Sequence, residues 1–240
     1  MQALEEQRVF SAGEFASAQE GVDSVRKSLM AKNFSEITPD VYPEEIGESL
    51  VLEKEHFDLL KSHVVRRNMS ERDGKSAFAF FEGEREVHIE SMELCPEKGM
   101  SLCEEIASKA MLSRRRNETF PRITYEHALS LVEEETGLSA PSLGKKELQL
   151  LSKLFMQPFF IIDWPDDYSF DEEENGFRLV FEGEEVASGS AHRCMGEYEA
   201  RLLSELGYSW YLGGKKSRCG FGLSVEIGKI SAASLEKQKF

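Results

Sequence analysis

The sequence predicts an α+β domain, a mostly antiparallel sheet flanked by helices. Three observations predict it. Two pairs of short strand-like runs are joined by tight polar turns, amphipathic helical stretches lie around and between them, and no regular strand–helix–strand alternation is present to build a parallel sheet. The helices are expected on one side of the sheet. At 240 residues the chain can bury one large core, and a single domain over 1–240 is expected.

The elements follow in order. Val22, Val25, Leu29 and Phe34 recur close to helical spacing, with Asn33 as terminator and an extended segment running on to Pro39. A second helical stretch covers roughly Lys54 to Arg67 on Phe57, Leu60 and Val64, and breaks at Asn68 to Lys75. The runs 77–81 and 87–94, separated by Glu82-Gly83-Glu84-Arg85-Glu86, read as a hairpin with one wet face. Pro96 ends it, and Leu102, Ile106 and Ala110 open a helix whose last turn carries Arg114-Arg115-Arg116, where cations suit the helix dipole.

Thr124 is a good N-cap for a helix facing inward on Tyr125, Ala128, Leu129 and Val132, with Gly137 as its stop. Another helix, Glu147 to Phe155, stops before Pro158. Phe159-Phe160-Ile161-Ile162 has no polar residue on either face and reads as a central strand buried on both sides. Phe177–Phe181 and Glu184–Ser190 flank Glu182-Gly183, the simplest hairpin signal in the chain. Leu202, Leu203 and Leu206 mark a helix ended by Gly207, and the polar tail after Lys229 is expected to fray.

Charge narrows the function. Forty-four acidic residues against 29 basic ones give a formal net charge of −15, which repels polyanions and excludes a broad nucleic-acid-binding surface. Arg66-Arg67 and the three arginines at 114–116 read as solvated helix ends rather than phosphate sites. No apolar run approaches the ~20 residues that cross a bilayer, and the first residues lack a secretion signal, so a cytoplasmic protein without membrane contact is expected. Cys95, Cys103, Cys194 and Cys219 form no C-x-x-C pair and read as reduced thiols, and His192 with Cys194 does not amount to a zinc set.

Four stretches, in order, carry a family resemblance. Val25-Arg26-Lys27-Ser28-Leu29 running to Phe34-Ser35-Glu36-Ile37-Thr38-Pro39 is the first. Phe120-Pro121-Arg122-Ile123-Thr124-Tyr125-Glu126-His127-Ala128 is the second. Glu185-Val186-Ala187-Ser188-Gly189-Ser190, with Arg193 after it, is the third, and Trp210-Tyr211-Leu212 with Gly220-Phe221-Gly222-Leu223 and Glu226 is the fourth. Together they resemble the catalytic core of class II aminoacyl-tRNA synthetases of the asparaginyl/aspartyl branch, over about residues 20 to 228. The resemblance implies a homodimer formed through Val25 to Pro39, and aspartate or asparagine as substrate. It implies ATP and Mg²⁺ as cofactors, with Glu185 and Ser188 holding the metal. Gly189 and Glu226 join them around the nucleotide, and Gly189 would let a ligand approach the backbone.

By the same resemblance Asp163 and Lys215 would contact the amino acid, and Arg85 and Arg193 are the candidates for catalytic cations. No oligonucleotide-binding barrel is expected before the core, so no anticodon-binding domain is expected and tRNA is left open as a partner.

The departures from the pattern bear on mechanism. Activation of an amino acid attacks the α-phosphate of ATP, so a cation must neutralise the developing charge. The family's arginine for this stands on the first strand of a hairpin, where this chain has Ala79, Phe80 and Phe81, and Arg85 lies in the turn. Ile227 follows Glu226 where the family has an adenine-stacking arginine, and Lys215 stands where an arginine would hold the amino acid. Arg193 falls one residue beyond its expected place, so a bulge re-aims it or His192 takes the slot. Two functions are therefore expected to compete: an ATP-dependent ligase acting on aspartate or asparagine, and a synthetase-like paralogue that kept the fold and became a binding or regulatory module.

Overall fold

The structure, a computed structural model, describes residues 12–38, 61, 64–65, 69, 74–81, 85–111, 119–165, 176–192 and 220–237. Its strands are β1 (Ser35–Glu36), β2 (Ser76–Phe81), β3 (Glu86–Ser91), β4 (Arg122–Thr124), β5 (Phe159–Trp164), β6 (Gly176–Phe181), β7 (Glu184–His192) and β8 (Gly220–Val225). Its helices are α1 (Ala12–Ala31), α2 (Pro96–Ala110), α3 (Tyr125–Thr136), α4 (Lys145–Phe155) and α5 (Ile227–Lys237). The strands form one sheet in the order β1-β2-β3-β8-β7-β6-β5-β4, antiparallel except for the two edge pairs β1–β2 and β4–β5.

Local chemistry sets the boundaries. Glu182 and Gly183 both adopt positive φ, 53° and 79°, as a two-residue turn must if it is to match the twist of β6 and β7. Thr124 accepts the His127 N–H at 3.2 Å and starts α3, and Gly137, at φ 68°, ends it. Pro96 closes the segment after β3 and opens α2, where its missing N–H costs nothing.

Because strand side chains alternate, the sheet has two different faces. On the first, Phe78, Phe80, Val87, Ile89, Phe160, Phe177, Leu179, Phe221, Leu223 and Val225 meet α1, α2 and α5 in the main core. On the second, Phe159, Ile161 and Val180 pack under α3 and α4. At the opposite end of that face, Ala77, Ala79 and Phe81 pack with Ile37, Val65 and Met69.

Helices thus cover both faces, not one: the apolar second face of β5 and β6 has to be buried, and α3 and α4 bury it. Of the run 159–162, Phe159, Phe160 and Ile161 are buried, so the strand is covered on both sides there as expected, and Ile162 is half-buried. It is not central, however, because β4 lies outside it at the sheet edge. The tail after Lys229 is not frayed along its length. Ile227 and Ile230, three apart, turn α5 onto the core, and Ser231 and Ser234 donate to the carbonyls of Ala110 and Met111 at 3.0 and 3.1 Å. The helices read around 54–67 (beyond Lys61, Val64 and Val65) and at 202–206 lie outside the described residues, as do the arginine pair at 66–67 and the triplet at 114–116.

Candidate active site

On the second face, between the α3–α4 cover and the cluster of Ile37, Val65 and Met69, runs a stripe of small and polar residues on β3, β8, β7 and β6. Cross-strand pairing assigns them. Ala79 lies opposite His88, His88 opposite Ser224, Ser224 opposite Ser188, and Ser188 opposite Arg178. One step along, Ala77, Glu90, Gly222 and Ser190 make a parallel row.

A β-bulge completes the stripe. Residues three apart on a regular strand point to opposite faces, so Glu185 and Ser188 should be separated by the sheet. The register slips instead: Leu179 pairs with Ala187 and the next residue, Val180, pairs with Glu185, leaving Val186 as the extra residue. Val186 and Ala187 both turn to the main core, and Glu185 and Ser188 come to the same face. The bulge is held by the Glu226 N–H, which donates to the Val186 carbonyl at 2.8 Å.

The structure does not bring all the expected residues together. Glu185 and Ser188 share the stripe, whereas Gly189 faces the other way. A Cβ there would lie 2.6 Å from the Phe177 ring and 3.1 Å from that of Phe221, so its bareness serves aromatic packing in the core rather than the approach of a ligand. Glu226 forms an ion pair with Lys229 at 2.7 Å, and Ile227 beside it is fully buried. Arg85 lays its aliphatic stem over Gly228 at the start of α5, 3.2 Å from where a Cβ would be, and its carbonyl accepts the Gly228 N–H at 2.9 Å.

Asp163 is exposed and left-handed, φ 55°, at a register shift in β5 between Ile161 and Trp164. Of Phe80 and Phe81 on β2, Phe81 shares the face of the stripe but is buried beside Val65 and Met69, and Phe80 faces the main core beneath Arg26. Arg193 and Lys215, with Trp210-Tyr211-Leu212, lie outside the described residues.

Three features of the stripe were not found from sequence. Arg178 stands across from Ser188, its guanidinium 5.6 Å from the Trp164 ring and 3.5 Å from the Glu185 carboxylate. A buried ion pair joins Lys61 Nζ to Glu86 Oε2 at 2.5 Å, and Ser224 donates to Glu86 Oε1 at 2.6 Å. Burial pushes the Glu86 carboxyl up, but Lys61, with help from Ser224 and His88, outweighs it and holds the group below the usual 4.5. His88 Nε2 meets Glu90 Oε1 at 3.1 Å, while Nδ1 of the same buried ring has no hydrogen-bond partner among the described residues. The polar face of β3 was visible in the alternation Glu86, His88, Glu90; their joint burial was not.

Comparison places this architecture. The asparaginyl-tRNA synthetase of Pyrococcus horikoshii superposes with a TM-score of 0.66 at 16% identity, covering 94% of this chain and 64% of that one. An aspartyl-tRNA synthetase from Entamoeba histolytica gives 0.64 at 15% identity, covering 93% and 55%. The fold is the class II aminoacyl-tRNA synthetase core. The Methanopyrus kandleri aspartate–tRNA(Asp/Asn) ligase is 30% identical to this synthetase-like chain over 166 residues, 62% of it and 38% of the relative. The Pyrococcus furiosus asparagine–tRNA ligase is 29% identical over 130 residues, 45% and 30% of the two chains. The chain therefore spans about two fifths or less of the length of these curated relatives. No protein-family model matches it.

The residues of this synthetase-like stripe fit Mg²⁺ and ATP poorly. One carboxylate with a neighbouring hydroxyl is what Mg²⁺ bound to phosphates commonly takes from a protein, and Glu185 with Ser188 has that composition. But the Arg178 guanidinium, although only loosely paired with that carboxylate at 3.5 Å, sets a like charge beside any cation the carboxylate would hold. On β2 the residues facing the stripe are Ala77, Ala79 and Phe81, which offer a triphosphate no charge. Among the described residues no three His, Cys, Asp or Glu side chains converge on one point.

Proposed function

We propose that this chain is a synthetase-like core whose cleft binds an amino acid of the aspartate or asparagine kind, and in which ATP-dependent activation has been lost. The observation that carries the reading is Ala79: the strand that should present a cation to the α-phosphate presents a methyl group, directly across from His88. Lys61, on the same face, is engaged with Glu86. The amino-acid half of the reading is supported by the aspartate and asparagine ligases among the sequence relatives and by a stripe that sets the Arg178 guanidinium and the Glu185 carboxylate beside the Ser188 and Ser224 hydroxyls, one charge of each sign for a small zwitterion. A solved asparaginyl-tRNA synthetase of the same fold, TM-score 0.64, was complexed with asparaginyl-adenylate.

Pyrophosphate exchange driven by L-aspartate or L-asparagine, run beside calorimetric titration with each amino acid and with Mg·ATP, tests this. Amino-acid binding without exchange is expected. A missing charged contact costs about 1.5–3 kcal/mol, and two or three such losses remove several powers of ten in rate. Exchange that depends on either amino acid would establish the ligase reading instead, with Glu185 and Ser188 as metal ligands.

The same reading includes a homodimer through the segment 25–39. Val25 and Leu29 are consumed by the chain's own core, so the contact would use the exposed strand Ser35–Glu36 at the sheet edge. A monomer at all concentrations in sedimentation would remove it.

A further inference from the structure

Arg178 has no role in the resemblance and was not singled out from sequence, yet it has the placement of a ligand-binding residue. It sits on β6 in the row Ala79, His88, Ser224, Ser188, Arg178, so its guanidinium belongs to the face that carries the stripe. Its side chain is three-quarters buried, and its guanidinium lies over the Trp164 ring, 5.6 Å from the centroid, a cation–π contact that helps to hold it in place. Trp164 is itself set by an edge contact with Tyr125 at 5.0 Å.

The partner of Arg178 is loosely engaged. A charge-assisted N–H···O bond spans about 2.7–2.9 Å, and Arg–carboxylate pairs are often bidentate. Arg178 Nε and Glu185 Oε2 are 3.5 Å apart, and Glu185 is more than a third exposed. An oriented, mostly desolvated guanidinium facing a distant, hydrated carboxylate is poised to exchange it for a better one. Ser188, directly across the ladder, can donate to a second oxygen of the same group.

We propose that Arg178, with Ser188, is the carboxylate-binding subsite of the cleft, and that Glu185 occupies it as an internal stand-in which the ligand's carboxylate displaces. This rests on the reading of the cleft as an amino-acid site and names the group by which it takes hold. It also reverses the sign expected of Glu185: as a metal ligand its loss weakens binding, whereas as a stand-in its loss frees Arg178 and strengthens binding.

Calorimetric titration of the full chain with L-aspartate, L-asparagine, succinate and inorganic phosphate tests it, in the wild type and in Arg178→Gln, Arg178→Lys and Glu185→Gln variants whose folding is checked by circular dichroism. Arg178→Gln should lower affinity for the amino acids and succinate about tenfold or more, with Arg178→Lys recovering only part because a point charge lacks the planar fork. Glu185→Gln should raise the same affinities several-fold. Unchanged affinity in Arg178→Gln, or weakened affinity in Glu185→Gln, overturns the assignment while leaving the amino-acid reading intact. Phosphate binding that depends on Arg178 when carboxylates do not bind overturns it in favour of a phosphate site. Binding of no probe by either the wild type or Glu185→Gln overturns the assignment and the amino-acid reading together.

Discussion

Lys61→Met is expected to destabilise the chain by about 3–5 kcal/mol at neutral pH, the cost of removing one partner from a buried ion pair. Lys61 is 3% exposed and Glu86 5%, so neither charge can be handed back to water. Without Lys61 the Glu86 carboxylate keeps the Ser224 hydroxyl as a hydrogen-bond donor but loses its cation. The pH dependence should invert as well. In the wild type the lowered Glu86 pKa contributes stability that is present above the unfolded value near 4.5 and is lost as pH falls through the folded value. In the variant, burial dominates and raises that pKa, so stability should instead increase as the solution is acidified toward the unfolded value. Urea unfolding at several pH values separates the two slopes. Lys61→Met combined with Glu86→Leu should recover most of the loss, because an apolar pair of similar volume leaves no charge to desolvate.

Phe221→Ala is expected to cost a similar amount, about 3–5 kcal/mol, the range for truncating a buried phenylalanine. Its ring lies between two bare backbones. A Cβ at Gly99 of α2 would be 2.5 Å from it and one at Gly189 of β7 3.1 Å, while Phe177 stacks beside it with centroids 5.9 Å apart. Gly99→Ala should by the same geometry destabilise by about 1–3 kcal/mol through overpacking. The double variant Gly99→Ala/Phe221→Leu should lose less than the sum of its single changes, since the smaller side chain makes room for the methyl group. Additive losses in thermal or urea unfolding would mean that the ring and the helix are not in the tight contact described.

What could be read from the sequence divides along the same physical lines. Glu182-Gly183, Thr124, Gly137 and Pro96 each act through their own backbone or the next few residues, and the elements they punctuate stand where expected. The helix at 227–237 was missed because Ile227 and Ile230 are its main apolar signal, too short a pattern to outweigh the polar residues around it. The second helical layer was missed because Phe159 and Ile161 look the same whether they face a helix or a neighbouring sheet.

In the site, Glu185 and Ser188 were named together only through the family pattern. Strand periodicity alone would have separated them, and the bulge that unites them depends on a register no local motif encodes. Gly189 was legible as a required glycine, but whether a ligand or Phe177 takes the space beside it is a tertiary fact. Arg178 gave no signal at all, since an arginine on a strand of a charged protein is unremarkable until Trp164 and Ser188 are placed around it.

The alternation of the sheet also bears on how such a chain changes over generations. Phe177, Phe221 and Leu223 are locked among helices, whereas Arg178, Gly222 and Ser224, each their neighbour in sequence, look the other way. A single nucleotide change at one position meets the packed main core, and the same change one codon along falls in the polar stripe. Drift is therefore penalised throughout the main core, whereas on the other side its cost changes from place to place, high where Ser224 meets the buried Lys61–Glu86 pair and low where Arg178 and Glu185 are partly exposed, so the stripe can change its chemistry there while the core stays intact.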